Sequence, residues 1–299
     1  MYQTLLRIPT PWGTLSVPGF GLMFLLAFYA AMHLAAWRAR REKLDPDTVF
    51  DLAIVMLFGG IVGARTLYVW QYWGDRVKSI LDIFKVWEGG IVLYGSIAGG
   101  LLAGLIYHRI RSFPLRPMAD VIAPALAVGI MLGRLGCFLN GCCYGDRCDL
   151  PWAVTFPVMS PPWYDQFRHD ELDYPHGRPP WIELKVRDLD DHEHLVRVAS
   201  RSLPVHPTQL YSALDGLILL LLLSAYFPLR RRDGEVMALL MVTYPITRML
   251  IEYLRNDEAS FLGTGLTISQ CISLLILIGG LFFWARLSRL PKGRYADTA

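Results

Sequence analysis

Tyr244, Arg248, Glu252 and Arg255 fall at i, i+4, i+8 and i+11 within the apolar run LLMVTYPITRMLIEYLR. On a helix this spacing puts all four on one face. A phenol, two guanidiniums and a carboxylate cannot face acyl chains, so the face must line a cavity or meet polar partners. Arg134 lies in a second apolar run, AVGIMLGRLGCFLNG, just before Asn140, Gly141 and Gly145 break it into a tight loop. A guanidinium offers a planar fork of donors that fits a phosphate bidentately, and glycines let backbone approach a ligand closely. Two arginines inside apolar runs point to an anionic ligand within or near a bilayer, with a phospholipid headgroup as the nearest candidate. Two plainer readings stand beside this one. Arg248 and Glu252 could simply tether helices, and Arg134 could snorkel to the interface.

Other residues could do chemistry with less support from their spacing. Arg65, in GGIVGARTLYVW, could bind ligand or pair with Glu88. His206 opens HPTQLYSALDG, where Pro207 suits a first helical turn and Gln209 and Asp215 add polarity. An imidazole titrates near pH ~6.5, so His206 could carry a proton, although a histidine beside proline often serves structure. Cys137, Cys142, Cys143 and Cys148 have the spacing C-x4-C-C-x4-C, without the C-x2-C pairs usual for zinc and without a nearby histidine. No metal is expected on that spacing. A disulfide involving Cys148 is compatible with an oxidising compartment, and a catalytic thiol is the sharper alternative.

The elements that must position these groups are apolar helices. The chain has 299 residues, 54% of them hydrophobic, and a mean hydropathy of +0.35. Apolar stretches run roughly 18–37, 48–72, 90–108, 117–139, 209–226, 236–255 and 265–286. Each approaches the roughly 20 residues that cross a bilayer core. They are too long and too uniformly apolar for barrel strands. The expected fold is an all-α polytopic membrane protein with seven transmembrane helices in a single domain, 1–299. Basic residues cluster after the first, third, fifth and seventh stretches, for example Arg38, Arg40, Arg41 and Lys43 after the first. The positive-inside rule then puts the C-terminus in the cytoplasm and the N-terminus outside.

Segment 140–208 becomes an external loop, rich in proline and tryptophan, forming a small irregular cap with β-like runs at WAVTF and HLVRV. The first stretch is not read as a cleavable signal, since its charges follow it. No lipidation motif is seen at either end. Gly95 and Gly99, then Gly100 and Gly104, have the small-xxx-small spacing that lets helix backbones meet.

Several stretches together resemble the prolipoprotein diacylglyceryl transferases: GGIVGARTLYVW, IFKVWEGGIVLYGSIAGG, GRLGCFLNGCCYG, HPTQLY and YPITRMLIEYLRNDE. Their order and spacing match that family, and the likeness is weakest over roughly 155–203. The resemblance implies a bacterial inner-membrane enzyme of lipoprotein maturation, with no cofactor and no nucleic-acid partner. Its reaction would move the diacylglyceryl group of phosphatidylglycerol to the thiol of the lipobox cysteine in a prolipoprotein signal peptide. A thioether forms and glycerol phosphate leaves. Arg134 and Arg248 match the family's essential arginines and would hold the phosphate. Arg65, Asn140, Gly145, His206, Tyr244 and Glu252 are expected around the substrates.

This chain departs from the family at four positions. Tyr94 stands where a histidine is common and would be the base or a hydrogen-bonding orienter, although a phenol titrates near pH ~10. Cys137 stands for Asn, Cys142 for Glu, and Phe20 for Tyr, the last expected at the substrate site. An acceptor thiol of pKa ~8.5 is mostly protonated at neutral pH, so a base or positive field should help it. A lipid or anion transporter and a membrane thiol–disulfide protein are the alternatives.

Overall fold

The computed structural model describes residues 4–10, 13–77, 79–85, 89–90, 92–168, 181–187, 193–255 and 265–298. Seven long helices dominate: α1 (Gly19–Arg41), α2 (Pro46–Gln71), α3 (Leu93–Arg111), α4 (Leu115–Asn140), α6 (Thr208–Tyr226), α7 (Glu235–Glu252) and α8 (Ile268–Ser288). Among the described residues there are also a short α5 (Pro161–Arg168), a terminal turn α9 (Tyr295–Thr298) and a 3-10 turn at Ile80–Phe84. All seven apolar stretches are thus helical, within a few residues of the expected bounds. Five of them (α1, α2, α4, α6 with its 3-10 extension to Leu229, and α8) are long and apolar enough to cross a membrane. Large apolar side chains such as Phe58, Leu101, Ile110, Leu221 and Phe282 point outward, as a lipid-facing surface requires.

Helix starts follow from side chains near them. Asp45 caps α2 by accepting from the N–H groups of Asp47 and Thr48, after which Pro46 sits at the first helical position. Thr267 and Gln270 form a reciprocal capping box at α8. The start of α7 is capped from another helix. Asp120 of α4, fully buried, accepts from the backbone N–H groups of Gly234 (2.7 Å), Val236 (2.9 Å) and Met237 (3.0 Å). Buried Arg230 adds an ion pair to Asp120 at 3.4 Å and another to Glu42, which locks the ends of α1, α4 and α7 together.

The helices pack in the spatial order α3, α2, α1, α4, α6, α7, α8, and α4 also touches α7. The core lies between α1, α4, α6 and α7, around Ala36, Val121, Ala127, Leu219, Leu223 and Val236. Small residues set the α2–α3 distance, as the sequence spacing predicts. A Cβ on Gly63 would stand 2.3 Å from the Gly95 carbonyl oxygen, and one on Gly99 2.3 Å from that of Gly59.

Two hairpins were not expected in this form. β1 (Thr4–Thr10) pairs antiparallel with β2 (Gly13–Pro18) ahead of α1. β3 (Trp181–Arg187) pairs with β4 (Glu193–Ala199). HLVRV falls in β4, whereas WAVTF forms only the bridge Val154–Val205. Segment 140–208 holds a small core of its own in Phe156, Trp163, Leu203 and Val205. There the Trp163 indole donates to the Ala199 carbonyl at 2.6 Å.

Candidate active site

The central helix α4 ends in a reversal. Gly141 closes it at φ 78°, and Cys143 takes a left-handed backbone at φ 59°, a region that favours glycine and is uncommon for cysteine. Residues 141–143 therefore fold back over the last turn of α4. The sulfurs of Cys137, Cys142 and Cys143 end within 4.8 Å of one another. Two buried side chains of α6 fasten this loop. Thr208 Oγ1 donates to the Cys143 carbonyl at 2.7 Å, and Gln209 Nε2 donates to that of Cys142 at 2.8 Å. Asn140 hydrogen-bonds the Cys142 thiol.

The same loop is held from α7. The N–H of Asp146 donates to the Leu254 carbonyl and that of Gly145 to the His206 carbonyl, both at 2.9 Å. A Cβ at Gly145 would lie 2.5 Å from the Leu254 oxygen and 2.7 Å from His206 Cβ. The close approach that Gly145 allows is therefore to the protein's own backbone, where the start of α6 meets the end of α7. His206 is tied down as well. Its Nδ1 lies 3.3 Å from the Tyr211 hydroxyl, which accepts from the Trp152 indole at 2.7 Å.

Arg134 is half-buried three residues before Cys137. Among the described residues its guanidinium makes neither ion pair nor hydrogen bond. Its charge is felt at Cys143, as is that of Arg255 from the end of α7. Hydrogen bonds from the Cys137 and Cys142 thiols pull the Cys143 thiol well below its ordinary pKa, and the two guanidiniums add to that shift. Arg248 is placed differently. It pairs with Glu252, a carboxylate only 1% exposed that also faces Arg255 at 3.9 Å and accepts from Thr267 Oγ1 at 3.2 Å. Two guanidiniums thus share one buried carboxylate at the end of α7. Tyr244, on the same face two turns earlier, packs against the apolar core.

The structure joins Arg134, Asn140, Cys137, Cys142, Cys143 and Gly145 to the ends of α6 and α7, and through Arg255 to Glu252 and Arg248. Phe20 of α1 borders this region, since a Cβ on Gly136 would touch its ring at 3.4 Å. Tyr94 sits in the first turn of α3, whose main partner is α2.

Arg65 is engaged elsewhere. Its Nε donates to Ile83 (2.9 Å), and its Nη1 to Gly89 (2.7 Å) and Gly90 (2.9 Å), all backbone carbonyls. A structural role accounts for this arginine better than ligand binding. Glu88, the partner considered for it, lies outside the described residues. The cysteine expectation also needs correction. All five cysteines are unbridged, and the three sulfurs that meet exclude Cys148. Sequence reasoning placed Arg255 on the polar face of α7 without a substrate role, read Gln209 only as adding polarity, and gave Thr208 no role. Nothing local marked the contacts that Thr208 and Gln209 make with the cysteine carbonyls.

A family model described as prolipoprotein diacylglyceryl transferase matches residues 8–286. The chain belongs to the prolipoprotein diacylglyceryl transferase family. Among curated relatives, the phosphatidylglycerol–prolipoprotein diacylglyceryl transferase of Clostridium tetani is 30% identical over 271 residues, covering 90% of this chain and 92% of the relative. The proteins of the same name from Legionella pneumophila (strain Corby) and Rhodopirellula baltica are each 29% identical. The first covers 95% of this chain and 97% of the relative. The second covers 89% of this chain and 71% of the relative. The chain is accordingly a membrane transferase of lipoprotein maturation, which displaces the transporter and thiol–disulfide readings. In this transferase, the reversal after α4 is formed by the stretch GRLGCFLNGCCYG.

Proposed function

We propose that this transferase moves the diacylglyceryl group of phosphatidylglycerol to the thiol of a lipobox cysteine in a prolipoprotein signal peptide, releasing glycerol phosphate. The observation that carries this reading is the state of Arg134. A half-buried guanidinium beside a second positive group, with no protein anion on it among the described residues, suits a phosphate supplied by substrate. The acceptor thiol gives up its proton to solvent, and its sulfur attacks the glyceryl carbon that bears the phosphate ester. The C–O bond breaks, and its electron pair leaves on the phosphate. The leaving group gains negative charge as this happens, so fixed positive charge at that spot favours the transition state over the ground state.

Arg134 holds the phosphate directly in this reading. Arg248 and Arg255, held by Glu252, supply the surrounding field, and Phe20 borders the lipid entrance. Tyr94 orients a substrate by hydrogen bonding. Asn140, Gly145 and His206 shape the loop on which the arginine depends, and Tyr244 braces its helix. The apolar cavity of about 260 Å³ between α1, α2 and α4, lined by Phe28, Met32, Leu52 and Met56 among others, suits an acyl chain.

For topology we infer seven spans, with α3 and α7 crossing beside the five more apolar helices. The N-terminus and segment 140–208 face outward, and the C-terminus is cytoplasmic in a bacterial inner membrane. The alternation of basic clusters supports this orientation. The test is incubation of the purified protein with phosphatidylglycerol and a lipobox peptide. A diacylglyceryl mass gain on the peptide cysteine is the expected result. No gain, under conditions where the Clostridium tetani relative works, would overturn the reading.

A further inference from the structure

We propose that Cys137, Cys142 and Cys143 form a three-thiolate site for a zinc ion, whose open fourth position binds and activates the acceptor cysteine of the substrate peptide. The inference rests on the transfer reading above and says how this chain readies its acceptor. Catalytic zinc takes three protein ligands and leaves one position open, with Zn–S distances of about 2.3 Å. A tetrahedron of that size sets its sulfurs about 3.8 Å apart. The three sulfurs already lie within 4.8 Å of one another, so rotamer adjustments of up to about 1 Å bring them to one ion.

The cluster is assembled by the backbone and does not arise from side-chain drift. The left-handed residues Gly141 and Cys143 carry the Cys-Cys pair back over Cys137. Thr208 and Gln209 then fix both cysteine carbonyls from a neighbouring helix. Outer contacts of this kind orient metal ligands and tune their affinity. Each cysteine remains partly accessible, which a fourth, exchangeable ligand requires. Three thiolates and one Zn2+ carry a single net negative charge, and Arg134 and Arg255 stand close enough to balance it.

The chemistry closes without a redox step. On binding zinc, the acceptor thiol releases its proton to water, because a thiol that coordinates zinc is deprotonated. The bound sulfur forms the C–S bond to the glyceryl carbon while the C–O bond breaks. The electron pair goes to the phosphate beside Arg134, and the thioether, a weaker ligand than thiolate, leaves the metal. Tyr94 need not act as a base.

The experiment uses the full-length protein in detergent, purified without chelators. Elemental analysis should find zinc at about one per chain. Replacement by Co2+ should give thiolate-to-cobalt charge-transfer bands and the intense visible bands of a tetrahedral site. A lipobox peptide should shift those bands, while a peptide with serine for its cysteine should leave them unchanged. Cys137→Ser/Cys142→Ser/Cys143→Ser should lose the bands, Cys148→Ser and Cys271→Ser should keep them, and Gln209→Ala should bind Co2+ about tenfold more weakly.

Absence of bound metal, or an intact mass showing a disulfide among the three cysteines, overturns the proposal. So does a cobalt spectrum indifferent to the peptide thiol, or full transfer by chelator-stripped protein. That last result would leave the transfer reading standing. Failure of transfer with metal bound and peptide coordinated would instead remove the transfer reading while leaving the metal site intact.

Discussion

Arg248 and Glu252 form an ion pair along one face of α7, and Arg255 approaches the same carboxylate from the next turn. The carboxylate is nearly sealed from solvent, so its contribution lies in what would follow its loss. Glu252→Gln removes the carboxylate that Arg248 pairs with and that Arg255 approaches. Removing one partner of a buried pair costs about 3–5 kcal/mol. We expect a clearly lowered Tm in detergent, together with lower transfer activity. An unchanged Tm would mean that the pair is solvated in the membrane-embedded protein.

Arg134 should behave in the opposite way. It has no protein partner to lose among the described residues, so Arg134→Gln should leave Tm nearly unchanged. Removing a donor that stabilises developing negative charge costs about 10²–10³ in kcat, and mass spectrometry of peptide lipidation should show a loss of that size. A retained rate would remove the phosphate role. A large fall in Tm would make this arginine a structural strut.

These two arginines also mark how far the sequence could be read. Seven helices were legible because each is a long apolar run bounded by charge, proline or glycine, and the Gly95–Gly99 spacing announced the contact with α2. The i, i+4 spacing announced the Arg248–Glu252 pair. What could not be read depended on backbone reversal and on partners without sequence marks. Cys142 and Cys143 meet Cys137 only because Gly141 and Cys143 adopt positive φ, which no periodicity encodes. Arg65 was ambiguous because its partners are the main-chain carbonyls of Asp82, Ile83, Gly89 and Gly90, and a carbonyl looks the same beneath any side chain. The β1–β2 hairpin was hidden by Pro9 and Pro18, which weaken a strand signal.

Arg65 therefore provides a separate test. Arg65→Gln removes donors from the Ile83, Gly89 and Gly90 carbonyls and strips the guanidinium from the Tyr68 ring, 5.2 Å away. Each buried hydrogen bond to a charged group contributes about 1.5–3 kcal/mol. We expect a lowered Tm and faster proteolysis near residues 79–90. A variant of normal stability with a raised KM for phosphatidylglycerol would return Arg65 to the binding site.

Two glycines, Gly145 and Gly129, test whether the loop after α4 is held as closely as its contacts imply. Gly145→Ala puts a methyl group 2.5 Å from the Leu254 carbonyl oxygen, which is backbone and cannot turn aside. The start of α6 or the end of α7 must shift, at about 1–3 kcal/mol for overpacking, and Arg255 shifts with the end of α7. We expect both lowered stability and a marked loss of transfer. Gly129→Ala, in the middle of α4, meets nothing within 4 Å. It should be neutral or stabilising by up to about 1 kcal/mol, because alanine is the better helix former. Equal behaviour of the two variants in thermal melts would mean that the α6–α7 junction does not grip the loop. The positions of Cys142 and Cys143 would then lack the support that both Arg134 and the sulfur cluster require.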